Sequence, residues 1–431
     1  QAALRNGKKL IYFRFARHEP QLSPDDGAEI HELDPEQGFE NFIAAIHAAI
    51  EKAGPGAFYV FDCLSRLAVD WCSDQMLANF FMLTCPYLFD LETVTYFALY
   101  RNYHTSHAMG PIQETTQLFI DVYRHKENIY VRPVKVQHRY SPTMHMLHVW
   151  RNDEFRPVTA SAAISEILTL APWSGLESDS SVGFWETSFI QARELLRSGT
   201  YRPDLPDQGK DVYEMLVRMI VSRDPGMQRL ISRYLTLQNI LDVRKRMIGT
   251  GLIGGKTVGM LLARAIAREA GPRLAELQEE HDSFFVGSDV FYDFLVRNGI
   301  WWVRQKQRKP ETFLDGAEQA RRRIITGEFP PHILRQFGEM MDYFGQSPFI
   351  VRSSSLLEDN YGHSFAGKYE SVYCANQGPR EQRMQDLLAA IRTIYASSMS
   401  EKALRYRADR GMLDRDEQMA LLVMRVSGAM Y

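Results

Sequence analysis

The sequence predicts an α/β protein in more than one part, and three observations carry that expectation. Short apolar runs rich in aromatic and β-branched residues alternate with stretches whose apolar residues recur at helical spacing. A largely helical segment, residues 151–245, separates two such alternating regions. The chain is 431 residues long, which at about 150 residues per domain amounts to roughly two to three domains.

Residues 1–150 read as one α/β domain. KKLIYFRF (residues 8–15) and AFYVFDCLS (residues 57–65) are short, continuous and aromatic-rich, the pattern of buried strands. Between them Phe39, Phe42, Ile43, Ile46 and Ile50 share one face of a helix. Strand, helix and strand in that order predict a parallel sheet with a right-handed crossover. TVTYFALYR (residues 93–101) reads as a further strand, and residues 118–139 as a hairpin turning at Lys126, Glu127 and Asn128.

The connector, residues 151–245, holds three amphipathic stretches. The first, from residue 184, ends at Gly199, a natural C-cap, and two prolines then break the chain at 203 and 206. Residues 210–224 and 227–249 continue as helices. From about 246 a second α/β region begins with a glycine-rich turn opening a helix. It later contains the strand PFIVRSSS (residues 348–355) and a Gly- and Ser-containing loop.

Composition narrows the function. With 45% hydrophobic and 24% charged residues the chain is ordinary globular protein. The net charge of −3, from 50 basic and 53 acidic residues, points to neither nucleic acid nor an anionic membrane as partner. No apolar run is long enough to span a bilayer. Cys63, Cys72, Cys85 and Cys374 show no CxxC spacing, which fits a reducing cytoplasm. The chain opens at Gln1 without a secretory pattern. It closes within MALLVMRVSGAMY (residues 419–431), an apolar run that reads as a strand with its partner missing, so a piece of a longer protein is expected.

Two segments carry the candidate chemistry. In residues 249–269 glycines surround Lys256 just before a long apolar helix. Free N–H groups at a helix N-terminus attract anions, and a lysine there adds a mobile charge for phosphate. The spacing is not that of a P-loop, because Thr250 holds the position where the first glycine is required and the preceding segment reads as helix. The alternative is a glycine turn with a solvated lysine. In residues 347–373 a strand delivers Arg352, followed by Ser353, Ser354 and Ser355 and a loop with Gly362, Ser364 and Gly367. An arginine fork suits phosphate oxygens, and small loop residues let backbone amides approach them. The alternative is a surface turn in which Arg352 pairs with Glu358 or Asp359.

Together, GGK opening a helix and VRSS…ED…SFAG about a hundred residues later resemble the nucleotide-binding domain of the pyruvate phosphate dikinase and phosphoenolpyruvate synthase family. Rifampicin phosphotransferase and the glucan-water dikinases share that domain. The resemblance covers roughly residues 245–431 and implies an ATP-grasp-type fold, incomplete at its C-terminal end, that binds ATP with Mg2+. By position, Lys256 and Arg352 match the phosphate-binding lysine and arginine. Gly254, Gly255, Ser353, Ser364, Gly367 and Lys368 fall in the phosphate-side turns, and Met424 and Arg425 in the hinge strand beside the adenine. Lys368 replaces the family's usual Gln, and Met424 replaces the hinge Gln. The family's metal-binding carboxylate lies beyond the hinge, so no complete catalytic site is expected within these residues. The resemblance implies phosphate transfer from ATP to a carrier histidine on a phosphohistidine domain, then to an acceptor-binding domain, both outside this chain.

The first domain has a resemblance of its own. FYVFDCLS ends in Asp62 in the manner of a Walker B strand, and the late hairpin looks like the end of a RecA-like ATPase core of the circadian-clock and recombinase type. No Walker A sequence precedes it, so a degenerate core with a satisfied strand-end carboxylate at Asp62 is expected. Two alternatives stay open: a non-catalytic ATP-sensing module, and a RecA-type ATPase whose P-loop lies upstream. His104 with His107 and His145 with His148 show HxxH spacing without a third ligand cluster. The basic stretch from Arg304 to Arg323 reads as a solvated helix face, and Trp301 with Trp302 as core or domain-seam packing.

Overall fold

A computed structural model describes residues 5–15, 18–101, 103–169, 183–198, 209–358 and 367–427. The chain divides into two compact units that interleave in sequence. The first takes residues 1–32, 52–66 and 80–184; the second takes 33–51, 67–79 and 185–431.

In the first unit β1 (Leu10–Arg14), β2 (Ala28–Glu32), β3 (Phe58–Asp62) and β4 (Val94–Phe97) form a wholly parallel sheet in the order β2-β1-β3-β4. Tyr12, Phe13, Tyr59 and Phe61 are fully buried, as expected of strands covered on both faces. The chain visits β2 on one side of β1 and then returns to β3 on the other. The strand order therefore reverses at the β1–β3 junction.

The expected hairpin forms, from β5 (Leu118–His125) and β6 (Asn128–Val136), and Lys126 takes a positive φ in the two-residue turn. It does not extend the parallel core. It pairs instead with β7 (His148–Arg151) and β8 (Glu154–Pro157) in a separate antiparallel meander, β5-β6-β7-β8. Leu118, Ile120 and Val122, alternate residues of β5, are exposed, so one face of this meander is open.

The second unit begins with α1 (Phe39–Ala53), whose Phe39, Phe42, Ile43, Ile46 and Ile50 are all buried as the spacing predicts. The connector departs from the sequence reading in two places. Residues 227–249 are not one helix: Pro225–Tyr234 and Leu237–Lys245 are separated because Thr236 caps the second through a reciprocal capping box with Asn239. A short strand, β9 (Met247–Ile248), follows before the glycine turn. Gly199 and the paired prolines lie outside the described residues.

The sheet of this unit is β12-β11-β13-β10-β9, built from β9, β10 (Ser283–Val286), β11 (Phe349–Ser355), β12 (Ser371–Cys374) and β13 (Met419–Arg425). Four helices matter below: α2 (Gly255–Ala270), α3 (Ser288–Arg297), α4 (Trp301–Lys306) and α5 (Glu401–Asp409). β13 corrects the expectation of a strand lacking its partner. It is the central strand, antiparallel to β11 on one side and β10 on the other. Met419 to Val423 are buried because both faces are covered, and a continuous apolar run is the signature of that position. No helix among the described residues is long and apolar enough to cross a membrane. The four cysteines are buried and unbridged.

Candidate functional site

The glycine turn and the serine strand are built into each other. At Gly254, with φ +80°, a Cβ would fall 1.4 Å from the Ser354 carbonyl oxygen, and at Gly255 it would fall 2.1 Å from that of Glu358. No side chain fits either position, so the two glycines let the start of α2 press against β11 and the turn after it. Ser354 Oγ donates to the Ile253 carbonyl (2.9 Å) and accepts the Thr257 N–H (3.1 Å), satisfying one of the helix's orphan first-turn donors.

Lys256 is partly buried, and its Nζ donates to Glu358 Oε1 (2.8 Å) and Ser353 Oγ (2.9 Å). The Glu358 side chain is 2% exposed and also accepts the Ser355 N–H (3.0 Å) and the Ser353 hydroxyl (3.1 Å). Burial pushes its carboxyl up, and Lys256 opposes that shift. The solvated-lysine alternative is thereby set aside: the cation is held at the N-terminus of α2 by a buried carboxylate.

The pairing of Arg352 with Glu358 is also set aside, since Glu358 belongs to Lys256. Asp359 lies outside the described residues. Arg352 is half-buried on β11, opposite Leu422 and Ser371, and makes no hydrogen bond or ion pair among the described residues. Side chains alternate along a strand, so Arg352 shares a face with Ser354, which caps α2. The structure therefore brings Gly254, Gly255, Lys256 and Ser353 together at one end of β11, with Arg352 one residue earlier on the same strand.

The other expected residues stand as follows. Ser364 lies outside the described residues. The carbonyl of Gly367 accepts Lys402 Nζ, and Lys368 Nζ stands 4.7 Å from the centre of the Tyr406 ring on α5. Met424 is half-buried in β13, opposite Ile350 and Ser283. Arg425 is committed within its own sheet, donating to Asp282 Oδ2 (2.8 Å) and Ser347 Oγ (2.9 Å).

Sequence reasoning missed the buried carboxylates that hold these parts in place. Glu417, just before β13, accepts hydrogen bonds from Ser355 Oγ (2.6 Å), Tyr369 Oη (2.7 Å) and Arg407 (2.8 Å). Glu40 on α1 accepts from Arg304 on α4, Tyr292 on α3 and the Glu417 N–H. Asp289 accepts the Thr250 N–H (2.8 Å) within the glycine turn, and burial pushes its carboxyl up to about 7. Arg304 was read as part of a solvated basic face, yet it is 1% exposed and paired with Glu40 at 3.0 Å. Of the two tryptophans, Trp301 is buried edge-on to Phe39, whereas Trp302 is half-exposed against His47.

In the first unit, Asp62 stands at the C-terminal end of β3, where the strand order reverses. Tyr12 donates to Asp62 Oδ2, and His18 Nε2 lies 3.0 Å from Oδ1. His18 Nδ1 faces the Glu19 carbonyl at 2.7 Å, so both ring nitrogens face acceptors, an arrangement that favours the protonated ring. Those two acceptors, the carbonyl first, raise its pKa. The strand-end carboxylate is satisfied by its own chain. His104 is buried against Ser65 (2.7 Å) and precedes the helix Ser106–Thr115 that carries His107. Its HxxH spacing therefore does not place two imidazoles on one helical face.

Residues 250–431 match the family described as pyruvate phosphate dikinase, AMP/ATP-binding domain. The match begins within the glycine turn and takes in α2 and β10 to β13. It supports placing this segment in the pyruvate phosphate dikinase and phosphoenolpyruvate synthase family, and it identifies AMP or ATP as the ligand of such a domain. No curated protein matches the chain.

Proposed function

We propose that this chain is the nucleotide-binding portion of a phosphoenolpyruvate synthase-like phosphotransferase, with the ATP phosphates held by Lys256 and Arg352. The domain division is proposed as a degenerate RecA-like region (1–150), a helical connector (151–245) and an ATP-grasp-type nucleotide-binding domain (246–431). The observation that carries the reading is the position of Lys256. It sits at a helix N-terminus that two obligatory glycines press against the strand bearing Arg352, which has no partner among the described residues. That arrangement offers a point charge, a planar fork and oriented backbone donors to one polyphosphate.

In this reading Lys256 exchanges Glu358 for phosphate oxygens, and Arg352 takes a second set. The chemistry asks the protein for positioning and charge neutralisation more than for covalent steps. Mg2+ is part of what the family implies, and we assign no ligand for it among the described residues. Among them no group of three or more His, Cys, Asp or Glu side chains could hold a metal, and Glu358 is committed to Lys256 and Ser355. We assign no nucleotide to the first unit, where Asp62 is engaged by Tyr12 and His18.

The transfer step is proposed to use a carrier histidine outside these residues. This chain should accordingly take no label from either β- or γ-labelled ATP, and its ATP affinity is expected on the order of 0.1–1 mM. A longer protein that includes a phosphohistidine domain should be labelled at an acid-labile, base-stable site. Label on this chain itself would overturn the transfer reading.

A further inference from the structure

Two short segments frame the phosphate-side candidates. Residues 353–358 hold Ser353 and Glu358, the partners of Lys256; residues 367–369 hold Gly367 and Lys368. One buried carboxylate joins them. Glu417 Oε1 accepts the Ser355 hydroxyl at 2.6 Å, and Glu417 Oε2 accepts the Tyr369 hydroxyl at 2.7 Å. Arg407 donates to the same Oε2 at 2.8 Å and braces itself on the carbonyls of Arg415 (2.7 Å) and Met412 (3.3 Å). Ser355, Glu417 and Arg407 are each 1% exposed or less. The Glu417 backbone is fixed in turn, its N–H donating to Glu40 Oε1 at 3.0 Å.

We propose that Glu417 is a positioning residue for polyphosphate: it fixes residues 353–358 and 367–369 to one another so that Lys256, Arg352 and Lys368 address the same ligand. The inference rests on the reading that this domain binds ATP. The chemistry of the clasp explains why a carboxylate stands here. An ionised carboxylate only accepts, and three donors converge on it from a serine, a tyrosine and an arginine. A glutamine would turn an N–H2 group toward one of those donors and break at least one of the three bonds. Once the segments are no longer tied, the geometry that serves the β- and γ-phosphates is populated only part of the time. The apparent affinity for a ligand that needs it falls by that fraction. AMP lacks those phosphates and should feel the loss less.

The test is calorimetric titration of the parent chain, Glu417→Gln and Tyr369→Phe with ATP and with AMP, at a temperature where each is folded by circular dichroism. Tyr369→Phe deletes one hydroxyl and keeps the ring, so it probes the clasp without leaving a buried charge unpaired. Glu417→Gln should weaken ATP binding about tenfold and Tyr369→Phe about threefold, with AMP affected less in both. A purely structural role would lower the melting temperature and leave the ATP-to-AMP ratio of the folded protein unchanged; that ratio is the readout. If the parent binds ATP and both variants keep its ATP-to-AMP ratio, the ATP reading stands and the positioning role is overturned. If the parent binds neither nucleotide, the reading and the inference fall together.

Discussion

Glu40 accepts the backbone N–H of Glu417 at 3.0 Å, although the two residues are 377 positions apart. Through this contact a helix near the start of the chain becomes part of the compact unit that holds the family match. Glu40 is fully buried, with Arg304 at 3.0 Å and Arg308 at 3.4 Å. Burial alone would raise its carboxyl. The guanidiniums of Arg304, Arg308 and Arg407 outweigh that and hold it below the usual range.

The first prediction follows from that enclosure. Removing one member of a buried ion pair leaves the other charge uncompensated, which typically costs about 3–5 kcal/mol. Glu40→Ala should therefore lower unfolding stability by about that amount in denaturant titrations, because Arg304 is 1% exposed. A loss below about 1 kcal/mol would show that Glu40 is not needed to neutralise Arg304.

The glycine turn should carry a pH signature. Burial raises the Asp289 carboxyl from 3.8 to about 7, so the folded state binds its proton more tightly than the unfolded state does. That contribution to stability is complete below pH 3.8 and is lost as pH rises through about 7. Asp293, raised to about 6, acts in the same sense. Asp289→Asn should consequently gain stability relative to the parent between pH 5 and pH 8. The two stability profiles running parallel across that interval would refute the assignment.

In the first unit, Asp62→Asn should leave any ATP binding or turnover unchanged, because Tyr12 and His18 already occupy the carboxylate. It should lower the pKa of His18, readable by proton NMR, since the protonated form of the ring loses a charged partner that favours it. A clear loss of ATP turnover in this variant, with the fold intact, would restore a RecA-type role to Asp62.

Glu358 should act against nucleotide. Its carboxylate neutralises Lys256 and would sit beside incoming phosphates, so Glu358→Gln removes both an internal competitor and a like charge. ATP should bind about three- to tenfold more tightly to this variant, provided that Ser355 N–H keeps its acceptor. Weaker binding would mean that Glu358 supports the site instead.

What could be read from the sequence was local. Lys256 stood out because glycines followed by an apolar helix signal an anion-binding N-terminus within a few residues. Arg352 stood out because a strand followed by small residues does the same. The helical face of α1 followed from its spacing alone. The Glu40–Arg304–Glu417–Arg407 network is invisible in sequence, because pairs 264 positions apart (Glu40 and Arg304) or ten apart across a loop (Arg407 and Glu417) leave no periodic trace, and a buried arginine looks like a solvated one. β13 is illegible as a central strand for a related reason: its neighbours, β10 and β11, lie far upstream, so nothing near it in the sequence marks its partners. The hairpin of β5 and β6 is legible, but a hairpin motif does not reveal which sheet it joins, and β7 and β8 carry no such signal.

The most direct test of the central claim is calorimetric titration of the parent and Lys256→Ala with ATP and with AMP. If Lys256 reaches the polyphosphate, the variant should lose about 1.5–3 kcal/mol of ATP binding, the range of a charge-assisted hydrogen bond, and far less for AMP. Equal losses for the two nucleotides, or an unchanged ATP affinity, would contradict the assignment of this turn as the phosphate site.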